Sequence, residues 1–190
     1  SYINPDEPVP ADAGTMLADM QGADYDDERW YELLNRITTD EMLNLHNNGG
    51  FQTVGIDSIG KSQTWDSDGP AGWVNFVVGF SQRFEGTCTY AAEIVFACSW
   101  NTDLLYRFGQ TVGDEALTGY TYEEQVTNED GTTETVIRHI PYTGWYAPAI
   151  NIHRSAFGGR NWEYYGEDSY LSGKLAAEQI KGLREKGVIP

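Results

Sequence analysis

Residues 146–173, with the sequence YAPAINIHRSAFGGRNWEYYGEDSYLSG, are the most informative part of the chain for its fold class. With Trp145 before it, the apolar beginning WYAPAINIH predicts a buried strand, and the periodic apolar residues after Ser169 predict a helix. Between them, residues 158–170 hold one arginine, three carboxylates and four aromatic rings. A solvated loop needs no such aromatic load, whereas a site that grips a polar, ring-shaped ligand needs both kinds of group.

Two further segments predict strands, and a helix follows the second. SQTWDSDGPAGW, residues 62–73, predicts a short strand that runs into a loop, and TYAAEIVFACSW, residues 89–100, predicts a buried central strand. Asn101 then caps a predicted helix. Within that helix the spacing of Gly109 and Gly113 predicts close approach of the helix to the sheet.

The C-terminal helix and a hairpin complete the pattern. We expect Gly187 to end this helix, a further strand to begin at Val188, and four apolar residues of the helix to face inward: Leu171, Leu175, Ile180 and Leu183. Residues 119–141 instead alternate Thr, Val and Ile around the turn NEDG, which predicts an inserted β-hairpin. Strands that alternate with helices predict an α/β fold with a parallel sheet.

The N-terminal part predicts two short helices after an extended segment. Residues 1–26 are interpreted as an extended linker segment, because they begin proline-rich and without periodicity. A first helix follows, with one face formed by Trp30, Leu33, Leu34 and Ile37. Thr38 and Glu41 have capping-box spacing before a second helix, which Gly49 or Gly50 ends.

The composition of the 190 residues excludes several classes of function. A net charge of −17 repels nucleic acid and anionic membranes, and the chain has no apolar run of about 20 residues. Cys88 and Cys98 lack zinc-ligand spacing, so we expect reduced, buried thiols, with one disulfide as the alternative. The turns DSDG and NEDG lack the closing glutamate of a calcium loop. We therefore expect no cofactor, no metal, no nucleic acid and no membrane as partner, and the sequence leaves the localisation open.

The loop DSDGPAGW carries the first candidate binding residue. Asp68 can accept hydrogen bonds from ligand hydroxyls, and an ionised carboxylate is a strong acceptor. Trp65 and Trp73 beside it can offer flat apolar faces to a sugar. A turn capped by aspartates, with both tryptophans in the core, is the alternative interpretation.

The loop GGRNWEYYGED carries the second candidate. Arg160 can bind a ligand directly, or it can form a structural ion pair with Glu163 or Glu167. His153 has no serine or cysteine partner in a recognisable motif, so the sequence does not support a catalytic triad.

Four blocks of the sequence point to one family: SDGPAG (67–72), SWNTDLLYRFGQTVGDEAL (99–117), YAPAINIHRSAFGGRNWEYYGEDSYLSG (146–173) and AAEQIKGLREKGV (176–188). In this order they resemble the barrel domain of glycoside hydrolase family 3, the family of β-glucosidases and related exo-acting enzymes. The resemblance covers roughly residues 27–190. It implies an incomplete (β/α)8 TIM barrel, made of the first three to four βα units, with the hairpin 119–141 as a local insertion.

The resemblance also implies roles for individual residues. Asp68 matches the aspartate that binds hydroxyls of the terminal sugar, and Arg160 matches an arginine that does likewise. Glu163 and the pair Glu167–Asp168 match acidic positions, to which we assign a supporting role in ordering the loop. The family often has an arginine shortly after its DGP motif, where this chain has WVN at residues 73–75.

The resemblance assigns no catalytic residue to this chain. The nucleophilic aspartate and the general acid/base of a retaining glycosidase are expected outside it, so we expect the isolated chain to be inactive. The chain is predicted to be a fragment of a retaining, exo-acting β-glycosidase that acts on an oligosaccharide or β-glucoside. The remainder of the parent polypeptide is expected to complete the barrel. A non-catalytic carbohydrate-binding or assembly module is the alternative.

Overall fold

A computed structural model describes residues 14–73, 87–128, 130–140 and 142–190. The chain divides into two compact units, and the boundary in the sequence falls between Thr64 and Trp65. Most of the proline-rich start, residues 1–13, lies outside the described residues. The interpretation of residues 1–26 as a linker stays a prediction, although a 3-10 turn is present at Leu17–Met20.

The N-terminal unit contains helices α1 (Arg29–Arg36) and α2 (Thr39–Asn47), a short strand β1 (Gln52–Thr53) and a 3-10 turn at Asp57–Ile59. Its core is formed by Met20, Leu33, Ile56 and Ile59, with Trp30 and Ile37 packed against it. The predicted inward face of α1 is wrong at Leu34, which is 50% exposed. Leu33 is fully buried one residue earlier, and a helix of only eight residues fills this small core through a narrow stripe.

The predicted capping box of α2 is confirmed. The Thr38 hydroxyl accepts a hydrogen bond from the Glu41 backbone N–H, while the Glu41 carboxylate accepts one from the Thr38 backbone N–H. The second carboxylate oxygen of Glu41 accepts from the backbone N–H of Ser58 at 2.9 Å. Partial burial alone would raise the pKa of Glu41, but the hydrogen bonds from Ser58 and Thr38 outweigh it and lower the pKa to about 2.

The second unit is built on parallel strands. Strand β2 (Thr64–Ser67) pairs in parallel with β5 (Tyr142–Trp145), so that Ser67 lies opposite Trp145. On its other side, β5 forms a parallel bridge from Gly144 to Ile189, with the Trp145 N–H donating to the Ile189 carbonyl at 2.9 Å. The pairing at Ile189 agrees with the further strand predicted to begin at Val188, and the architecture is α/β as the sequence predicts.

Two predicted strands are wrong in this unit. The apolar run 89–100 contains a short helix, α3 (Glu93–Ala97), because a short apolar run fits a buried strand or a buried helix equally well. The strand predicted at WYAPAINIH ends at Trp145, and Ile150 and Ile152 beyond it are exposed. Pro148 has no N–H to donate to a ladder, which explains the early end.

Helices α4 (Thr102–Ala116) and α5 (Ser169–Glu185) pack against each other through glycines. A Cβ atom added at Gly109 would overlap the Gln179 carbonyl oxygen, and one added at Gly182 would overlap that of Tyr106. These glycines therefore bring helix to helix, whereas the sequence predicted approach of α4 to the sheet. Asn101 caps α4 as predicted, with its side chain accepting from the Leu104 N–H at 3.1 Å.

The main core lies under these two helices. It contains, among other buried residues, Leu105, Phe108, Val112, Trp145, Leu175 and Leu183. The predicted inward residues of α5 are confirmed for Leu175 and Leu183, and Leu171 packs against the same core. Ile180 was expected with them but is only half-buried and lies outside this cluster. Gly187, with φ at +84°, follows α5 and agrees with the predicted stop.

Residues 119–141 contain the predicted hairpin. Strands β3 (Tyr120–Thr127) and β4 (Thr133–Ile140) pair antiparallel, with Tyr120 opposite Ile140 and Thr127 opposite Thr133. The turn closes where the Asn128 N–H donates to the Thr132 carbonyl at 2.8 Å. Glu129, in the middle of the NEDG turn, lies outside the described residues.

The capping box predicts a specific pH dependence of stability. The ordinary pKa of Glu41 is 4.5 and its folded pKa is lower, so its stabilising contribution is present above pH 4.5 and is lost as the pH falls towards about 2. Glu41→Gln should lower the free energy of unfolding by about 1 kcal/mol near neutral pH and flatten its decline in acid. Urea unfolding followed by circular dichroism at several pH values measures both effects. Asp40→Asn removes a charge from the same helical turn and serves as control; an equal flattening in that variant would contradict the assignment.

The glycine contact predicts a destabilising methyl group. Gly109→Ala should lower the free energy of unfolding by about 1–3 kcal/mol, because the added carbon overlaps the Gln179 carbonyl oxygen. The matched control is Gly173→Ala in α5, where no described atom lies within 4 Å of an added Cβ. This control should gain about 1 kcal/mol from helix propensity. Denaturant unfolding of both variants gives the comparison, and equal stabilities would show that the helices do not depend on Gly109.

Candidate functional site

The two candidate loops leave the sheet from the same edge. Asp68 follows the last residue of β2, and residues 146–164 follow the last residue of β5. Because these strands run in parallel and are neighbours, their carboxyl ends lie side by side. The Tyr146 N–H donates to the Ser67 carbonyl at 2.8 Å and continues the pairing by one residue into the loop.

Asp68 is half-buried at the start of a tight turn. Its Oδ1 accepts a hydrogen bond from the Gly69 backbone N–H at 2.8 Å. Gly72 in the same turn has φ at +118°, and a Cβ atom there would lie 2.5 Å from the Cys88 carbonyl oxygen. The turn is therefore fixed by the backbone of residues 69–72, and the Asp68 carboxylate keeps acceptor capacity beyond its bond to Gly69.

Trp73 belongs to the core and offers no face to a ligand. It is buried, its ring stacks on Tyr142 at a centroid distance of 5.3 Å, and its Nε1 donates to the Val112 carbonyl at 2.9 Å. Trp65 is partly buried and packs against the same core. The core interpretation is thus confirmed for Trp73, for which the sugar-platform interpretation is wrong, whereas for the partly buried Trp65 both interpretations stay open.

Arg160 lies in the second loop with 72% of its side chain exposed. Its Nε donates to a carboxylate oxygen of Glu163, which settles the two ion-pair partners considered from the sequence in favour of Glu163. The hydrogen bond and charge of Glu163 raise the pKa of Arg160, and the charges of Tyr164 and Asp68 add to this.

The other two acidic residues of the motif have different surroundings. Asp168 is the N-cap of α5, where its Oδ1 accepts from the Leu171 backbone N–H at 2.7 Å. Glu167 is exposed. Asp168 thus orders the end of the loop through the helix that follows it.

The loop is held closed at its base and braced inside. Ala149 forms a parallel bridge with Tyr164, and the His153 backbone N–H donates to the Gly166 carbonyl at 2.9 Å. Inside the loop, the Asn161 Nδ2 donates to the Ser155 carbonyl at 2.8 Å. Between these supports lies a cavity of about 280 Å³, lined by residues that include Asn151, Arg154, Ser155, Arg160 and Tyr164.

A buried carboxyl that sequence reasoning missed lies under this loop. Glu93, the first residue of α3, is fully buried, and its two carboxyl oxygens lie 3.2 and 3.1 Å from the Ala149 backbone nitrogen. Burial raises the pKa of Glu93 to about 9; the hydrogen bond from Ala149 opposes the rise, and the nearby charge of Glu163 adds to it. A single carboxylate inside the apolar run AAEIVFA was the available signal.

A second buried glutamate serves a different part of the unit. Glu115 of α4 accepts hydrogen bonds from the Cys88 backbone N–H at 3.0 Å and from the Tyr90 hydroxyl at 2.6 Å. Burial raises the pKa of Tyr90, and the bond to Glu115 adds to this. Cys88 and Cys98 are free thiols, as expected, but both are exposed rather than buried.

Two other kinds of site are absent from the described part of the chain. None of its groups of His, Cys, Asp and Glu has three members placed to hold a metal ion. Among its helices, none combines the length and the apolar character needed to cross a membrane.

Comparison with known sequences identifies relatives, although no family model matches the chain. β-Glucosidase BoGH3A of Bacteroides ovatus is 31% identical over 168 residues, which are 84% of this chain and 19% of that protein. β-Glucosidase A of Butyrivibrio fibrisolvens is also 31% identical, over 88% of this chain and 16% of the relative. The chain thus spans less than a fifth of the length of these curated relatives.

Comparison with solved structures agrees. β-Glucosidase 3B of Thermotoga neapolitana, solved with glucose, is 28% identical with a TM-score of 0.60, over 83% of this chain and 22% of that one. The glycoside hydrolase family 3 β-glucosidase of Bifidobacterium adolescentis has a TM-score of 0.61 at 22% identity, over 82% of this chain and 19% of that one, and shares the fold. Over most of its length, this chain belongs to glycoside hydrolase family 3 and is β-glucosidase-like.

Proposed function

We propose that the chain forms part of a retaining, exo-acting β-glycosidase and supplies residues that bind the terminal sugar of a β-glucoside or oligosaccharide. The observation that supports the proposal is that the loops containing Asp68 and Arg160 follow the carboxyl ends of two neighbouring parallel strands, β2 and β5. Parallel α/β barrels build their active sites at this end. The named relatives are β-glucosidases, and one solved neighbour holds glucose.

The two side chains have complementary hydrogen-bonding roles. The Asp68 carboxylate accepts from sugar hydroxyls, and such charge-assisted hydrogen bonds are shorter and stronger than neutral ones. Arg160 uses its Nε for Glu163, so the other N–H groups of its exposed guanidinium donate to sugar oxygens. Together, the two side chains can bind sugar hydroxyl groups both as hydrogen-bond donors and as hydrogen-bond acceptors.

The bond-breaking groups are assigned to other parts of the parent polypeptide. A retaining glycosidase needs two carboxyl groups about 5–5.5 Å apart, one as nucleophile and one as acid/base. In this scheme Asp68 and Arg160 bind the sugar, and both catalytic carboxyl groups belong to other parts of the parent polypeptide. The isolated chain is therefore expected to have no glycosidase activity. The remaining βα units of the barrel, beyond the first three to four, come from the same parent polypeptide, and the hairpin is a local insertion.

The role of Asp68 is tested in the parent polypeptide with an aryl β-glucoside as substrate. Asp68→Ala should lower kcat/KM about 10-fold or more, because it removes a charged hydrogen bond worth about 1.5–3 kcal/mol. Asp103→Asn, at the exposed start of α4, is the control and should leave kcat/KM unchanged. Absence of hydrolysis by the wild type would overturn the proposed function, and unchanged kinetics in a folded Asp68→Ala variant would overturn the role of this residue.

The role of Arg160 is tested by a conservative replacement. Arg160→Lys keeps the positive charge but loses the planar fork that bonds Glu163 and the sugar at the same time. We expect the lysine variant to raise KM for the aryl β-glucoside nearly as much as Arg160→Ala does. Full recovery of the wild-type KM by lysine would show that only the charge matters at this position.

A further inference from the structure

The buried carboxyl of Glu93 lies at the base of the loop 149–164, which contains Arg160. Its oxygens contact the backbone N–H of Ala149, and Ala149 forms the bridge to Tyr164 that closes the loop. Glu163, the residue before Tyr164, is itself buried and holds the Nε of Arg160. The Glu93 side chain of α3 therefore contacts the start of the loop at Ala149, and Ala149 is bridged to the end of the loop at Tyr164.

Glu93 also lies within a small cluster of titratable groups. Glu163 and Tyr165 both face it: the charge of Glu163 contributes to the raised pKa of Glu93, and Glu93 contributes to that of Tyr165. Tyr165 is buried and donates its hydroxyl hydrogen bond to Gln179 of α5 at 2.5 Å. Arg160 pairs with Glu163 and so brings a positive charge to this acidic cluster.

We propose that Glu93 is a positioning residue for sugar binding: its buried carboxyl fixes the base of the loop 149–164 and thereby sets the place of Glu163 and Arg160. The proposal rests on the proposed function for its sugar, and on the contacts of Glu93 for its geometry. Glu93 does not touch the sugar in this scheme and acts only through the loop.

The protonation state of Glu93 gives the proposal its distinctive signature. With a pKa of about 9, Glu93 is neutral near pH 7, so its carbonyl oxygen accepts from Ala149 without placing a second negative charge beside Glu163. As the pH rises through about 9, ionisation creates two buried negative charges side by side. The Glu163–Arg160 pair is then disturbed, and sugar binding weakens.

Ionisation of Glu93 is also expected to lower the stability of the fold as the pH rises. The folded pKa of Glu93 lies above its ordinary value of 4.5, so the folded state binds the proton more tightly than the unfolded state. Its contribution to stability is fully present below pH 4.5 and is lost as the pH rises towards about 9. An uncharged replacement of the same shape removes this dependence.

The experiment compares three variants of the parent polypeptide. Glu93→Gln keeps an acceptor for Ala149 and carries no charge, Glu93→Leu removes the acceptor, and Glu115→Leu removes a buried glutamate that serves residues 88–90 instead. The readouts are KM and kcat for an aryl β-glucoside across the pH range, and hydrogen exchange of the backbone amides of residues 149–164.

Glu93→Leu should raise KM about 10-fold or more with a smaller change in kcat, because a small displacement of a positioning group is costly. It should also speed amide exchange in residues 149–164. Glu93→Gln should keep the wild-type KM at neutral pH and lose the rise in KM that the wild type shows above pH 9. Glu115→Leu should change neither the exchange of this loop nor the pH profile.

Two outcomes would overturn the proposal in an active enzyme. One is unchanged loop exchange and unchanged KM in Glu93→Leu, and the other is the same loss in Glu115→Leu, which would indicate a general effect on stability. Absence of hydrolysis in the wild type overturns the proposed function instead, so the two failures are distinguishable.

Discussion

The parallel pairing of β2 with β5 is the interaction on which the rest of this structure depends. It sets Ser67 opposite Trp145, and both candidate loops therefore leave the sheet at one edge. The sequence alone contains no short-range signal for this pairing, because the two strands are separated by α3, α4 and the hairpin. Backbone hydrogen bonds between the two strands supply this alignment.

Burial and ion pairing determine which charges the candidate site carries. The chain carries a net charge of −17, and three of its carboxyl groups, those of Asp68, Glu93 and Glu163, lie in or under the candidate site. Glu163 is balanced by Arg160, and Glu93 is kept neutral by burial. The exposed guanidinium of Arg160 and the half-buried carboxylate of Asp68 are the two charged groups to which we assign sugar binding.

The sequence predicted local features well and non-local burial poorly. The capping box at Thr38 and Glu41, the N-cap at Asn101 and the stop at Gly187 each depend on contacts a few residues away, and all are present. The apolar run 89–100 contains a helix instead of the predicted strand, because a short apolar run fits either element. Glu93 was missed, since its partner Ala149 is distant in sequence. The family was identified from the loop motifs, which combine residue type with spacing, and their contributions to sugar binding stay predictions.

The hairpin β3–β4 has a consequence for how the chain tolerates change in length. Its strands pair with each other over their whole length and lie within the connection between α4 and β5. The entropy of closing a flexible loop grows only with the logarithm of its length, by about 0.6 kcal/mol for each doubling. Lengthening or shortening a self-paired ribbon at this point therefore changes the closure entropy of the β2–β5 pairing very little. Closure entropy therefore sets little limit on the length of this ribbon, whereas the close glycine contacts between α4 and α5 leave no room for an added side chain.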